Sequence, residues 1–230
     1  MSQRPFQWIR MPGIILSDPP TDSTSAIVAE PWTTIKRGLD ILLSVALVPV
    51  FIPIWVVFAI LIKLESKGPI IFCQTRIGKG GRPFVLYKFR TMMDGAEQDT
   101  GPVWAKSPDP RATRFGGVIR RFGLDETIQV VNVLIGNMSL VGPRPERPYF
   151  VEKLRSQIPD YNQRLVAKPG ITGLAQVHTD HKYDVSLEDV KTKVAYDLAY
   201  IRTWSLMLDL KILVLTVFAV LRMRPNLRRQ

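Results

Sequence analysis

Asp125 and Glu126 stand side by side in RRFGLDETIQVVNV, directly after Arg120 and Arg121, in a chain of 230 residues. Two acids at the start of a helix complement its dipole, worth ~0.3–1 kcal/mol, and this capping role explains many such pairs. The same helix end lowers a carboxylate's pKa and attracts phosphate, and the two arginines are placed to bind the same anion. A carboxylate kept ionised beside a bound phosphoryl group is a nucleophile, or a ligand for a magnesium ion that bridges to phosphate. The pair alone leaves cap and reaction centre both open.

Other anion-directed residues lie on either side. NMSLVGPRPERP sets Arg144 and Arg147 among Pro143, Pro145 and Pro148. Proline fixes φ, so Arg144 sits on a stiff backbone with little entropy to lose on binding; a rigid linker is the plainer reading. Gln74, Arg76, Lys88 and Arg90 form a second polar group that would draw phosphate or lipid headgroups. KPGITGLAQV, Lys168 to Val177, reads by itself as an ordinary turn. His178 and His181, spaced HTDH, lack the further ligands a metal site needs and read as surface residues. Cys73 is the single cysteine, which excludes an intramolecular disulfide and a CxxC cage; it reads as a small packed residue.

These residues need elements to hold them. Leu124, Ile128, Val131 and Ile135 recur at helical period until Gly136, which places Asp125 and Glu126 in the first turn of a short helix. PIIFCQTRI and PFVLYKFRTM, joined by GKGGR, predict a β-hairpin on a glycine turn; the turn matches neither a Walker loop nor GxGxxG. DGAEQDTGPVWAKSPDPRATRFG reads as a long loop.

Ile41 to Ile62 carries no charge and is long enough for the ~20 residues of a membrane helix. Pro49 and Pro53 inside it predict a kink. Lys36 and Arg37 precede the run, and Lys63, Lys67, Arg76, Lys79 and Arg82 follow it. Basic residues on both flanks put both ends on the cytoplasmic side, so the reading is a re-entrant helix, with a spanning helix as the alternative. The uncharged run Ile212–Leu221 is short for a span and suits an interfacial or packed helix before Arg222, Arg224, Arg228 and Arg229.

The fold expected is α+β, mostly helical with a small β-hairpin, held to the membrane by that one proline-kinked helix. Residues 1–33, broken by prolines and lacking a signal-peptide core, read as a loosely ordered tail. A membrane-inserted helix follows over 34–67, then a catalytic domain over 68–203 and a C-terminal helix with a basic tail over 204–230. Lys+Arg 31 against Asp+Glu 20 gives a net charge of +11 and calls for an anionic partner. Nucleic acid is not expected, because no reader motif appears and such a domain has no need of Ile41–Ile62.

YKFRTM, LDE, NVLIGNMSLVGPRP, KPGITGLAQV and YDLAYIRTWSLMLDLKIL, in that order behind a proline-broken apolar segment, resemble the bacterial sugar transferase family. These are monotopic phosphoglycosyl transferases that start polysaccharide assembly on polyprenol phosphate. The likeness runs from about Lys36 to Leu221. It is nearest the exopolysaccharide-type undecaprenyl-phosphate sugar phosphotransferases, without the amino-terminal spans of longer members.

The resemblance implies that Asp125 is the nucleophile and also meets Mg2+, with Glu126 as the second acid of the dyad. It implies that Arg120 binds phosphate and that Pro143, Arg144 and Pro145 hold the nucleotide. The partners implied are a UDP-sugar, undecaprenyl phosphate and membrane lipids at the cytoplasmic face of the bacterial inner membrane, with a homo-oligomer left open. UMP would leave, and the product would be a polyprenyl diphosphate sugar. The chain departs from the family pattern at Ile52-Pro53, where Ser-Pro is usual, at Gly123, and at Thr127-Ile128. The rival reading is a basic, membrane-tethered binding module without catalysis.

Overall fold

A computed structural model describes residues 30–97, 101, 103–104, 109–179 and 186–222. The amino-terminal tail before Glu30, His181, and Arg224, Arg228 and Arg229 lie outside the described residues.

The first element, α1 (Glu30–Glu65), is one helix with Pro49 and Pro53 inside it. At ~1.5 Å per residue it runs for roughly 54 Å. Its inward side is a narrow stripe at helical spacing: Arg37, Asp40, Ser44, Val48, Phe51, Trp55, Phe58 and Ile62. Outward, Leu42, Val45, Val50, Val56, Ile60 and Leu64 are exposed, so the apolar surface extends along the helix. By length and composition Thr34–Glu65 could cross a membrane.

Both ends of this helix are tied to the rest of the chain. Near the start, Lys36 Nζ pairs with Asp209 Oδ2 at 2.5 Å, and Arg37 donates to the carbonyls of Val133 (2.5 Å) and Leu134 (3.0 Å). Asp40, buried, accepts from the Ser139 hydroxyl and the Leu140 amide, each at 3.1 Å. Near the end, Phe58 packs edge-on against Phe89 and Phe115, and Trp55 Nε1 donates to Thr127 Oγ1 at 3.0 Å. Lys36 and Arg37, on the basic flank before the apolar run, therefore hold internal partners; Arg37 supplies a cation to carbonyls at a helix C-terminus.

After α1 come strands β1 (Ile71–Ile77) and β2 (Pro83–Phe89), antiparallel with Ile71 opposite Phe89 and Ile77 opposite Pro83. The expected hairpin is present, closed through Gly80 and Gly81 at φ 68° and 77°. Strand parity corrects the reading of Cys73: it is exposed, while Phe72, Gln74 and Arg76 take the more buried face.

The stretch after the hairpin is not loop throughout. Helix α2 (Arg114–Arg121) begins inside it, capped by Thr113, whose side chain accepts from the Gly116 amide. Gly123 in the left-handed region then redirects the chain into a 3₁₀ turn, Leu124–Gln129, continuous with α3 (Val130–Ile135), and Gly136 stops it at φ 102°.

A second small sheet was not foreseen. Strand β3 (Ser139–Val141) pairs in parallel with β4 (Gly170–Thr172), in the register Ser139–Gly170 and Val141–Thr172. Between them lie α4 (Pro148–Arg155) and a 3₁₀ turn, Tyr161–Val166; after them come α5 (Leu174–His178), α6 (Leu187–Arg202) and α7 (Leu206–Arg222). KPGITG is thus a strand partner rather than an isolated turn. A Cβ on Gly170 would stand 2.1 Å from the Gly142 nitrogen, and one on Gly142 would stand 2.4 Å from the Lys168 oxygen, so only glycine lets these backbones meet. The largest apolar cluster joins Leu86, Val133, Met138, Leu140, Val141, Leu174, Tyr200 and Ile212, so the hairpin, α3, both parallel strands and α7 share one core.

Candidate active site

Asn132 joins the acid-bearing helix to the hairpin. Fully buried, its side-chain amide accepts from the Tyr87 amide (3.0 Å) and donates to the Val85 carbonyl (2.7 Å), continuing the free edge of β2. The turn that carries Asp125 and Glu126 therefore lies against the strand that carries Lys88. Asp125 is buried, at 4% exposure, and its charge reaches the Lys88 ammonium together with those of Glu126, Arg76 and Arg120. Burial pulls Lys88 down to about 8, and Asp125 is the largest influence in the other direction. The Lys88 ammonium also lies 5.2 Å from the centre of the Phe72 ring, its cross-strand neighbour.

Glu126 meets the proline-rich segment. Both nitrogens of the Arg144 fork donate to its carboxylate, Nη1 to Oε2 at 2.8 Å and Nη2 to Oε1. Glu126, followed by the Glu146 and Asp125 charges, pushes the Arg144 pKa up and keeps the guanidinium charged.

The Arg144 backbone is held in turn. Arg164, itself buried, donates to the Arg144 carbonyl (2.9 Å), to Tyr161 Oη (2.9 Å) and to Asp197 Oδ2 (2.5 Å). Burial pushes the Asp197 carboxyl up to about 6 against the pull of Arg164. On its other side, the Gly170 amide donates to the Pro143 carbonyl at 2.9 Å. Arg76 bonds the Pro145 carbonyl (3.0 Å) and Gln74 Oε1 (2.6 Å), and lies 3.6 Å from Glu146. Burial lowers the Arg76 pKa while Glu146 opposes the shift. A small cavity lined by Ile77, Pro143, Arg144, Pro145, Tyr161 and Arg164 opens beside this segment.

The structure thus brings Asp125, Glu126, Lys88, Arg76, Gln74, Pro143, Arg144 and Pro145 into one neighbourhood. Arg90 and Arg120 also hold partners outside this group, and the Arg120 charge still reaches Lys88. Arg90 is buried and donates to the Lys67 carbonyl (2.5 Å), the Ser66 carbonyl (2.9 Å) and the Ser66 hydroxyl (3.0 Å), so its guanidinium joins the end of α1 to the hairpin. Arg120, on the last turn of α2, lies 3.8 Å from Asp109, which also pairs with Arg111 at 2.9 Å. Glu97 and Trp104 meet α4 and its start through the Arg147–Glu97 fork, with both bonds at 2.9 Å, and through Trp104 stacked on Phe150.

Arg164 and Asp197 were missed. The signal available was an acid on a helix's apolar face: Asp197 falls three residues after Val194 and four before Ile201, both buried. His178 stacks on Tyr196 and meets the Leu174 carbonyl at 3.1 Å. Among the described residues no group of three His, Cys, Asp or Glu side chains could hold a metal. A magnesium ion would need only one or two carboxylates and would complete its shell with water and substrate phosphates. Asp125 is the carboxylate that suits this, since both Glu126 oxygens face Arg144.

Comparison with known proteins bears on this arrangement. A profile described as "Bacterial sugar transferase" matches residues 32–223. The chain is 46% identical over 190 residues to a UDP-N-acetylgalactosamine-undecaprenyl-phosphate N-acetylgalactosaminephosphotransferase of Aeromonas hydrophila, covering 83% of this chain and 44% of that protein. It is 43% identical over 184 residues to the UDP-glucose:undecaprenyl-phosphate glucose-1-phosphate transferase of Escherichia coli (strain K12), covering 80% and 39% respectively. Its likeness to the exopolysaccharide production protein PSS of Rhizobium leguminosarum bv. phaseoli is 37% over 193 residues, covering 81% of this chain and 95% of that one. The chain therefore spans less than half the length of the first two relatives.

Proposed function

This chain belongs to the bacterial sugar transferase family, and we propose that it moves a sugar-1-phosphate from a UDP-sugar to undecaprenyl phosphate through a covalent intermediate on Asp125. The observation that carries this reading is the meeting of three sequence-distant motifs. The Asp125 charge acts on Lys88 of the hairpin, and its neighbour Glu126 is forked to Arg144 of the proline-rich segment.

In the first step a carboxylate oxygen of Asp125 attacks the sugar-bearing phosphorus. The bond from that phosphorus to the bridging oxygen breaks, and UMP leaves with the electron pair. In the second, a phosphate oxygen of undecaprenyl phosphate attacks the same phosphorus, the acyl phosphate bond breaks, and Asp125 returns as a carboxylate. Lys88, Arg76 and Arg144 stabilise charge on the phosphoryl oxygens from fixed positions. Arg164 and the parallel strands hold the Arg144 backbone, so that little ordering is left for the moment of binding. Magnesium, when bound at Asp125, would neutralise phosphate charge and favour the leaving nucleotide.

Both ends of the apolar stretch of α1 touch one folded body, through Lys36, Arg37 and Asp40 at one end and Trp55, Phe58 and Glu65 at the other. That arrangement favours entry and exit on one side, the re-entrant reading, because a span would separate the ends by a ~30 Å hydrocarbon layer. The cytoplasmic face is proposed because the nucleotide sugar is a water-soluble substrate.

The test is to incubate the full chain in lipid vesicles with magnesium and a UDP-sugar labelled in the sugar-bearing phosphate. Protein-bound label with stoichiometric UMP release is expected, followed by transfer of the label to undecaprenyl phosphate. Transfer at the normal rate by Asp125→Asn overturns the mechanism. UDP-sugar retention without UMP release would identify a binding module instead.

A further inference from the structure

The turn that carries the two acids starts from a glycine. Its N-cap is Gly123, in the left-handed region, so no side chain at that position can close the free amides. A hydroxyl inside the turn fixes it instead. Thr127 Oγ1 donates to the Leu124 carbonyl at 2.8 Å and accepts from Trp55 Nε1 at 3.0 Å. A threonine hydroxyl has one proton and spare lone pairs, so it can serve both bonds at once. Leu124 and Thr127 bracket Asp125 and Glu126; the first bond closes the turn around the acids, and the second fastens it to α1.

Trp55 is itself held in place. Its ring stacks on Phe51, one helical turn back, with centroids 6.0 Å apart and planes at 28°. With Leu124 and Ile128 it packs against the cluster of Phe58, Ile62, Phe89 and Ile119. Apolar packing is non-directional and resists separation of the turn from α1 more than its rotation; a hydrogen bond also fixes an angle. Trp55 is half-buried, and among apolar neighbours an indole N–H keeps such an acceptor, because leaving the bond unmade is expensive. Nearer the start of the same helix, Asp40 holds Ser139 and Leu140 of β3, the strand that leads into Arg144. The Glu126–Arg144 fork therefore closes between two segments that α1 carries.

We propose that Trp55 and Thr127 are positioning residues for phosphosugar transfer: their hydrogen bond sets the angle of the acid-bearing turn, and so the direction from which the Asp125 carboxylate meets phosphorus. This rests on Asp125 as the nucleophile. Neither side chain needs to touch the substrate. The phosphates are met by Arg76, Lys88 and Arg144 from other elements, so a turn that rotates loses rate rather than affinity.

The experiment uses the full chain in lipid vesicles with magnesium and a UDP-sugar labelled in the sugar-bearing phosphate. It follows UMP release, protein-bound label and Tm. Thr127→Val keeps the side chain's shape and removes both bonds; Trp55→Phe keeps a ring against Phe51 and removes the donor; Thr127→Ser keeps the hydroxyl. Thr127→Val and Trp55→Phe should each slow UMP release at saturating UDP-sugar about tenfold, with KM within about twofold of the parent. Thr127→Ser should recover most of the rate, and the double variant of Thr127→Val with Trp55→Phe should be little slower than Thr127→Val alone. Normal rates in both single variants, losses that multiply, a loss carried by KM, or Thr127→Ser as slow as Thr127→Val overturns the proposal. A rate loss that only tracks the folded fraction in the thermal melt overturns it as well, since the bond is then structural. Transfer at the normal rate by Asp125→Asn removes the nucleophile reading itself. Label on the parent chain that is lost in Asp125→Asn, but gained at the parent rate by Thr127→Val, removes the positioning role alone.

Discussion

Arg144 lies fork to fork on Glu126, eighteen residues away in sequence, and so joins the acid pair to the proline-rich segment. A bidentate guanidinium–carboxylate pair fixes orientation as well as distance. Arg144 is thereby preoriented toward the neighbourhood of Asp125, and Glu126 is held away from the nucleophile's role.

Because the two side chains act as a unit, their losses should not add. Glu126→Gln and Arg144→Gln are each expected to lower kcat/KM for the UDP-sugar by about 10²-fold, and the double variant by little more than the worse single one. A double-mutant cycle on phosphosugar transfer measures this. Fold-losses that multiply would show that the pair is incidental.

Lys88 gives a pH signature. Its ammonium is held down to about 8, against 10.5 for an ordinary lysine. The charged form is the one that stabilises phosphate, so transfer should fall as pH rises through about 8. Stability should move the other way: between about 8 and 10.5 the unfolded chain binds the extra proton, so folding gains with rising pH. Lys88→Arg should move the alkaline limb of the rate profile upward, and Lys88→Met should flatten the gain in Tm. An unchanged limb in Lys88→Arg would remove Lys88 from the chemistry.

The Arg164–Asp197 pair is buried at both partners. Removing one leaves an uncompensated charge, so Arg164→Met or Asp197→Leu should each cost about 3–5 kcal/mol by denaturant unfolding. The double variant should recover most of that loss, since an apolar pair needs no solvation. It should not recover the UDP-sugar KM, because the Arg144 carbonyl still lacks its donor. Full recovery of both would show the pair to be structural only.

Backbone contact between β3 and β4 predicts asymmetry among glycines. Gly142→Ala and Gly170→Ala force a Cβ into backbone atoms nearer than 3 Å and should destabilise by about 1–3 kcal/mol or more. Gly117→Ala, within α2 and with nothing near its Cβ, should stabilise by about 0.5–1 kcal/mol. Thermal unfolding of the three variants checks both signs.

Local rules made much of this legible in the sequence. Glycines in GKGGR mark the hairpin turn, the spacing Leu124–Ile128–Val131–Ile135 marks the acid-bearing helix, and Gly136 marks its end. The apolar length of Ile41–Ile62 marks a helix fit for a membrane. Each depends on neighbours within about one or two turns, where φ preference, capping and side-chain period act directly. Helix α2 escaped notice because its first residues read as part of the long loop before it; Gly116 faces the Thr91 carbonyl too closely for any side chain.

What the sequence determined by itself was the inventory: which segments turn, coil or stay apolar, and which charged residues are available to an anion. Tertiary structure alone decided which charges meet. Lys36 finds Asp209 across 173 residues, Arg90 turns to the end of α1, and Arg144 finds Glu126 while Arg164 holds its backbone. Three-residue strands such as β3 and β4 are too short to carry a pattern and exist because glycine backbones can touch. The physical reason is common to all of these: burial removes water from a charge and leaves it dependent on whichever partner the packed chain brings within reach.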